Sequence, residues 1–167
     1  MEGKTLTAAD FEHVVRHDMN KSQFGVGASQ RPKGPELLVF EYSPYVFAAV
    51  RQTLGISREA YMRSMGPESM LGNLLLGYLD SMQQLGSEGK SGALFYLTHD
   101  ARYFVKTVRK REFDLIRKKL RTYHEHLSEH PESLLYRITG LYSIVQRIEA
   151  NQVQNYLIVM MNVFSQS

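Results

Sequence analysis

The chain has 167 residues, a net charge of +3 from 20 Lys and Arg against 17 Asp and Glu, and no cysteine. A chain of this length removes roughly 70% of its unfolded surface from water on folding. Its 43% hydrophobic and 22% charged residues fit a folded domain rather than a disordered one. The missing cysteines exclude a disulfide framework, a thiolate zinc site, an iron–sulfur cluster and a thiol nucleophile.

The first 18 residues are polar and carry no apolar core of a secretory signal. Residues 1–35 read as a helical or loose arm. Residues 8–19 bear a weak apolar stripe (Phe11, Val14, Val15, Met19), and 22–35 form a loop punctuated by Gly25, Gly27, Pro32, Gly34 and Pro35. A strand is predicted at 36–42. Ser43-Pro44 then reads as an N-cap with proline at the first helical position. The helix that follows would bury Val46, Phe47, Val50 and Leu54, with Gly55 at its C-terminal end. Ser57 is placed to cap a second helix running to Met65. A third helical stretch is predicted at 67–79, weakened by Gly72 and Gly77.

The character changes after Met82. Residues 83–92 are polar and glycine-rich. Two strands follow, 93–98 and 103–108, joined by a tight turn at 99–102. Residues 110–127 give the clearest helix, with Phe113, Ile116, Leu120, Tyr123 and Leu127 on one face. His130-Pro131 ends it. Two further strands, 136–146 and 153–164, are separated by a turn. The predicted order gives an α+β fold with a mostly antiparallel sheet and packed helices.

Charge is concentrated in one place. Between Lys106 and Arg121 stand eight basic residues (Lys106, Arg109, Lys110, Arg111, Arg117, Lys118, Lys119, Arg121) against Glu112 and Asp114, a local +6 that leaves the rest of the chain at −3. Such a field suits phosphate, an acidic membrane surface or nucleic acid; an ordinary solvated helix face is the other reading. No RNA-recognition or helix-turn-helix pattern accompanies it. The apolar run at 156–161 is far too short to cross a bilayer.

Gly89-Lys90-Ser91 invites a Walker A reading, but Gln84 stands where the first glycine belongs, and a strand follows where a helix is required. A glycine-rich turn between two strands is a different device. It lets backbone approach phosphates from above, as in the protein-kinase glycine loop. Gly86, Gly89 and Gly92, with Ser87 and Ser91, fit that use; they equally fit a surface loop. Lys106 lies within the otherwise apolar Tyr103-Phe104-Val105-Lys106-Thr107-Val108. A lysine set there is costly unless it meets a phosphate or a carboxylate. In the kinase layout it holds the ATP phosphates and a glutamate on the next helix orients it. Glu112 is the first candidate and Asp114 the second. The alternative is a lysine on the solvated side of an edge strand.

Other features read as structural. His124 and His126 point apart on a helix and do not chelate together, which leaves His130 without a cluster. Met62, Met65 and Met70 read as core filler. Tyr136, Tyr142 and Tyr156 suit strand packing.

The stretch Gly89-Lys90-Ser91-Gly92-Ala93-Leu94-Phe95-Tyr96, followed by Tyr103-Phe104-Val105-Lys106-Thr107-Val108, resembles the nucleotide loop and lysine strand of the phosphatidylinositol phosphate kinases. Ser43-Pro44-Tyr45-Val46-Phe47, Val50-Arg51 and Gly55-Ile56-Ser57, with Tyr61 and Ser64, resemble the family's segment before that loop. Ser133-Leu134-Leu135 and Gly140-Leu141-Tyr142 resemble the start of its next strand. Val159-Met160-Met161-Asn162-Val163-Phe164 is similar to its hinge. The resemblance covers residues 36–164, and Ala93 departs from the serine of many relatives.

The resemblance implies a kinase-like N-terminal lobe over 36–167, and a family that transfers the γ-phosphate of ATP, with Mg2+, to a phosphoinositide headgroup. It assigns Gly89, Lys90, Ser91 and Gly92 to the loop over the phosphates, Lys106 to the phosphates themselves and Glu112 to the ion pair with Lys106. Met161, Asn162 and Val163 would line the adenine site. It further implies a homodimer built through the N-terminal arm, and a peripheral location at the cytoplasmic face of anionic, phosphoinositide-containing membrane. Arg109, Lys110, Arg111, Lys118 and Lys119 would face that membrane. The catalytic aspartate, the metal ligands and the loop that selects the inositol position have no match here. The chain alone is therefore expected to be inactive without a C-terminal lobe. A non-catalytic dimerisation, membrane-docking or partner-binding module of the same fold is the alternative.

Overall fold

The computed structural model describes residues 5–19, 36–65, 95–148 and 150–164. In chain order these form α1 (Ala8–Glu12), β1 (Val14–Asp18), β2 (Glu36–Tyr42), α2 (Pro44–Thr53), α3 (Arg58–Met65), β3 (Phe95–Leu97), β4 (Tyr103–Val108), α4 (Lys110–Glu129), β5 (Ile138–Ile148) and β6 (Asn151–Met161). The six strands make one sheet in the order β1-β2-β5-β6-β4-β3, and every described pairing is antiparallel. The expected α+β architecture is thus the observed one. The helix expected at 67–79 and the glycine-rich loop lie outside the described residues.

The start of the chain differs from its helical reading. Asp10 closes the first turn of α1 by accepting from the Thr7 N–H at 2.8 Å and the Thr7 hydroxyl at 2.7 Å. The helix stops after Glu12, where His13 is extended. The β-branched Val14 and Val15 then suit a strand better than a helix, and β1 pairs with β2 from Val14↔Tyr42 to Asp18↔Leu38. Ser43 does not cap α2. Its backbone is left-handed (φ 50°, ψ 48°), its hydroxyl donates to the Phe11 carbonyl at 2.6 Å, and its N–H donates to the His13 carbonyl at 2.7 Å. It fastens the α1–β1 connection to the β2–α2 connection. Gly55 does end α2, at φ 70°, a conformation that costs other residues a Cβ clash. Ser57 caps α3, accepting from the Ala60 N–H at 3.1 Å.

Side chains alternate across the sheet, so each strand presents two different faces. On one face Leu141 and Ile158 pack with Val46 and Phe47 of α2 and with Phe113 and Leu120 of α4. Phe113, Leu120 and Leu127 are spaced by seven residues, two helical turns, and all three are buried. On the other face Val39, Tyr142, Ile144, Leu157, Val159, Tyr96, Tyr103 and Val105 pack under Tyr61 and Met65 of α3. Met62, by contrast with Met65, is exposed. So is Tyr136, which lies before β5 rather than in it and serves through its carbonyl, an acceptor for the Tyr123 hydroxyl at 2.7 Å.

Candidate nucleotide-binding end of the sheet

β4 carries the lysine of interest, and its place in the sheet settles one alternative. β4 lies between β6 and β3, so Lys106 is not on an edge strand. The register sets Lys106 opposite Ile158 on one side and Phe95 on the other. This is the face on which α4 packs, through Ile158. The lysine is half-buried, and its ammonium sits 5.2 Å from the centroid of the Phe95 ring, a cation–π distance.

Glu112 has a different partner from the expected one. It is exposed at the first turn of α4, and its Oε2 accepts from the Arg109 N–H at 2.9 Å. That is the carboxylate half of a capping box, which satisfies an amide the helix cannot bond internally. Asp114, the second candidate, accepts from the Lys110 ammonium at 2.6 Å, one turn away. Among the described residues no carboxylate reaches Lys106 within ion-pair distance. Helix geometry explains both choices: partners three or four residues away are already in place when the helix forms.

The residues expected to form the hinge lie where β6 ends. Met161 pairs with Tyr103, and its N–H donates to the Arg137 carbonyl at 2.9 Å. Asn162 is buried and turned into the β3–β4 turn: its N–H donates to the Arg102 carbonyl at 2.7 Å and its side-chain amide to the Ala101 carbonyl at 2.8 Å. Its Oδ1 accepts from the Phe164 N–H at 3.0 Å. Val163 is exposed, and among the described residues its N–H has no hydrogen-bond partner. Of the three residues, Val163 is the one whose backbone N–H is unbonded among the described residues.

A polar cluster that sequence reasoning did not single out backs this end. Asp100, in the β3–β4 turn, accepts from the Thr98 hydroxyl at 2.7 Å, from the Arg102 N–H at 3.2 Å and from the Ser64 hydroxyl of α3. Burial pushes its carboxyl upward, but the hydrogen bonds from Ser64, Thr98 and the Arg102 N–H outweigh that and hold it below the usual aspartate value. Beside it, Tyr61 and Tyr142 share a buried hydrogen bond of 3.2 Å, and the Tyr142 hydroxyl reaches Glu41 at 3.4 Å. Burial raises both phenols, so both stay neutral. The Arg51 guanidinium lies 4.1 Å from the centre of the Tyr61 ring and donates to the Thr139 carbonyl at 2.8 Å. The signal available in the sequence was Thr-x-Asp at a tight turn, a pattern in which aspartate bonds backbone two residues on.

The predicted basic face resolves into parts. Lys110 is paired with Asp114. Arg117 pairs with Glu12 at 3.1 Å and lies over Tyr42, and Arg121 lies 4.4 Å from the centre of the Phe11 ring, so both hold α1. Arg109, Arg111, Lys118 and Lys119 are exposed. Arg111, Leu115 and Lys118 fall at i, i+4 and i+7, which places a leucine 57% exposed between two cations. No described helix is long and apolar enough to cross a membrane. Gly89, Lys90, Ser91 and Gly92 lie outside the described residues. The described residues hold no group of three or more His, Cys, Asp or Glu side chains placed to share a metal ion.

A family model described as Phosphatidylinositol-4-phosphate 5-Kinase matches residues 76–167, more than half of the chain. A "Phosphatidylinositol 4-phosphate 5-kinase" of Plasmodium falciparum is 40% identical over 126 residues, covering 74% of this chain and 7% of that protein. A human "Phosphatidylinositol 4-phosphate 5-kinase-like protein 1" is 38% identical over 158 residues, 95% of this chain and 36% of the relative. Its mouse counterpart is 38% identical over 118 residues, 71% and 26%. The chain thus spans little more than a third of the longest-covered of these relatives, and far less of the others. With that match over its second half, which holds the lysine strand, α4 and the β5–β6 hairpin, the chain belongs to the phosphatidylinositol-4-phosphate 5-kinase family of phosphatidylinositol phosphate kinases.

Proposed function

We propose that this chain is the nucleotide-holding N-terminal lobe of a lipid kinase that moves the γ-phosphate of ATP to a phosphoinositide headgroup. The observation that carries this reading is Lys106: a half-buried cation on an interior strand, with no carboxylate in reach among the described residues. An unpaired cation set back from water is costly, and a phosphate is the anion that would complete it. The glycine-rich residues 86–92 precede β3 in the chain and would cover the phosphates. Val163 offers its N–H to the adenine edge. Glu112 would reach Lys106 only by leaving the Arg109 amide.

In the transfer itself an oxygen of the headgroup bonds to the γ-phosphorus while the bridging oxygen leaves with ADP, and the hydroxyl proton passes to a base. The base and the metal ligands belong to a second lobe, and the lobe alone is inactive. The surface for that lobe is the apolar end formed by Leu134, Leu135, Tyr136, Val163 and Phe164. Leu134 is fully exposed, Phe164 85% and Tyr136 80%, and the Met161–Arg137 hydrogen bond brings the two segments side by side. Exposed apolar clusters of this kind mark surfaces that are covered in the working protein. The Arg111–Leu115–Lys118 row of α4 would meet anionic membrane, its cations toward headgroups and its leucine toward acyl chains. Dimerisation through the N-terminal arm belongs to the same proposal.

The test is a calorimetric ATP titration of this chain and of Lys106→Ala, with a parallel arm on vesicles rich in anionic lipid. Saturable binding that weakens at least about tenfold in Lys106→Ala is expected, the loss of one charged phosphate contact. Equal affinity in the two proteins overturns the role of Lys106. In the vesicle arm, Leu115→Glu should release the protein from the anionic vesicles while leaving ATP binding unchanged; undiminished pelleting removes that face from the proposal.

A further inference from the structure

We propose that Asp100 is a positioning residue for the hinge: through the 98–102 turn it sets the backbone course of Asn162 and Val163, and so the aim of the Val163 N–H. This rests on the nucleotide reading above and extends it to a residue that would touch no part of the nucleotide.

The turn does not hold its shape unaided. Ala101 sits at φ 56°, a left-handed conformation that an alanine adopts only when its surroundings impose it. Three donors converge on Asp100 from three places: the Thr98 hydroxyl at the end of β3, the Arg102 N–H across the turn, and the Ser64 hydroxyl near the end of α3. Thr98 contributes a second tie, its oxygen accepting from the Tyr103 N–H at 3.0 Å. A carboxylate is acceptor-only and takes all three donors at once; an amide in its place would turn an NH2 toward one of them.

The turn so fixed presents two consecutive carbonyls, Ala101 and Arg102, outward. Both are taken by Asn162, one by its side-chain amide and one by its backbone N–H. With the Asn162 amide group thus oriented, its Oδ1 faces the Phe164 N–H. Residues 162–164 are closed into a turn, with Val163 at its apex. The chain of contacts runs from α3 through Asp100 and the Ala101–Arg102 peptides to the hinge, and every link is a hydrogen bond of the described structure. The depressed carboxyl of Asp100 keeps the clamp charged at neutral pH. The clamp is complete above the ordinary aspartate range and is lost as pH falls through the lowered value.

The experiment is residue-resolved amide exchange by NMR on the full chain, with an ATP titration of the same samples, for wild type, Asp100→Ala and Ser64→Ala. In Asp100→Ala, exchange at Asn162 and Phe164 should accelerate about tenfold or more, while Ile116 and Leu120 in α4 keep their wild-type rates. ATP affinity should fall with it. Ser64→Ala, which removes one of three donors, should move the same two amides less. A turn stabiliser with no hold on the hinge would speed exchange at Ala101 and Arg102 only, and that result overturns the proposal. Should Asp100→Ala unfold the chain, seen as faster exchange in α4, Ser64→Ala decides alone: wild-type rates at Asn162 and Phe164 overturn it. If wild type binds no ATP, the nucleotide reading fails while the exchange rates still decide the clamp.

Discussion

The two faces of the sheet are held by different physics. The face under α2 and α4 is mainly aliphatic and aromatic: Val46, Phe47, Phe113, Leu120, Leu141 and Ile158 pack together, and buried Ser143 beside them is bonded to the Tyr42 hydroxyl at 3.1 Å. The face under α3 is also well buried, but it carries hydroxyls and charges: Tyr61 on Tyr142, Tyr142 on Glu41, Ser64 on Asp100. The first face gains by excluding water from area and tolerates small shifts. The second depends on donors and acceptors meeting at fixed distances, because an unmet buried polar group costs more than the bond returns. The difference teaches where position is controlled. The apolar face supplies stability, and the polar face connects through Asp100 to Asn162 at the end of β6.

That contrast can be broken from either side. The largest effect is expected for Leu120→Ala, which removes a buried side chain from the apolar face and should cost about 2–5 kcal/mol in chemical denaturation. A loss below that range would mean the face relaxes into the space. Gly140→Ala should come next. Its Cβ would stand 2.6 Å from the Tyr61 hydroxyl and 2.7 Å from the Tyr142 ring, so the phenol pair must shift, at about 1–3 kcal/mol. The same substitution in a Tyr61→Phe background should cost less, since the atom it meets first is gone; an unchanged cost would place the strain on Tyr142 instead.

The smallest effect concerns the seam where α1 covers α4. His124 meets Phe11 edge-on, and burial pushes its imidazole below the usual 6.5. Arg121, also over Phe11, and Arg117, paired with Glu12, share this seam. The unfolded chain takes up the proton first, so this site contributes fully above the ordinary histidine range. That contribution shrinks as pH is lowered through 6.5 toward the folded value. Denaturation midpoints measured across that range should show a slope that His124→Gln abolishes. A slope that survives the substitution assigns the titration to another group.

Periodicity made one face legible and left the other obscure. The seven-residue spacing of Phe113, Leu120 and Leu127 marks α4 to within two residues of its observed end, and the apolar run 103–108 marks β4 at its observed bounds. Both are local patterns. Residues 8–19 were not legible as helix and strand, because what makes Val14–Asp18 a strand is its pairing with β2, whose partner residues lie 20 to 28 positions on. Ser43 looks like a cap from its neighbours alone. Its hydroxyl instead answers a carbonyl 32 residues earlier. In the candidate site, Lys106 stands out in the sequence by its apolar setting. Glu112 was matched to it by the kinase layout, and the local amide of Arg109 took the carboxylate instead.

By itself, then, the sequence determined the α+β class, the two hairpins and the amphipathic α4, since each rests on residue type and on spacing along the chain; the family came from resemblance to known sequences. Only the tertiary structure decided that Lys106 lies on an interior strand, that a Cβ on Gly140 would meet the Tyr61 hydroxyl, and that Asn162 turns away from exposed Val163 and Phe164 to hold a turn 61 residues behind it. The physical reason is the same in each case. A donor, an acceptor or a steric limit acts between atoms close in space, and closeness across sixty residues is a property of the folded sheet.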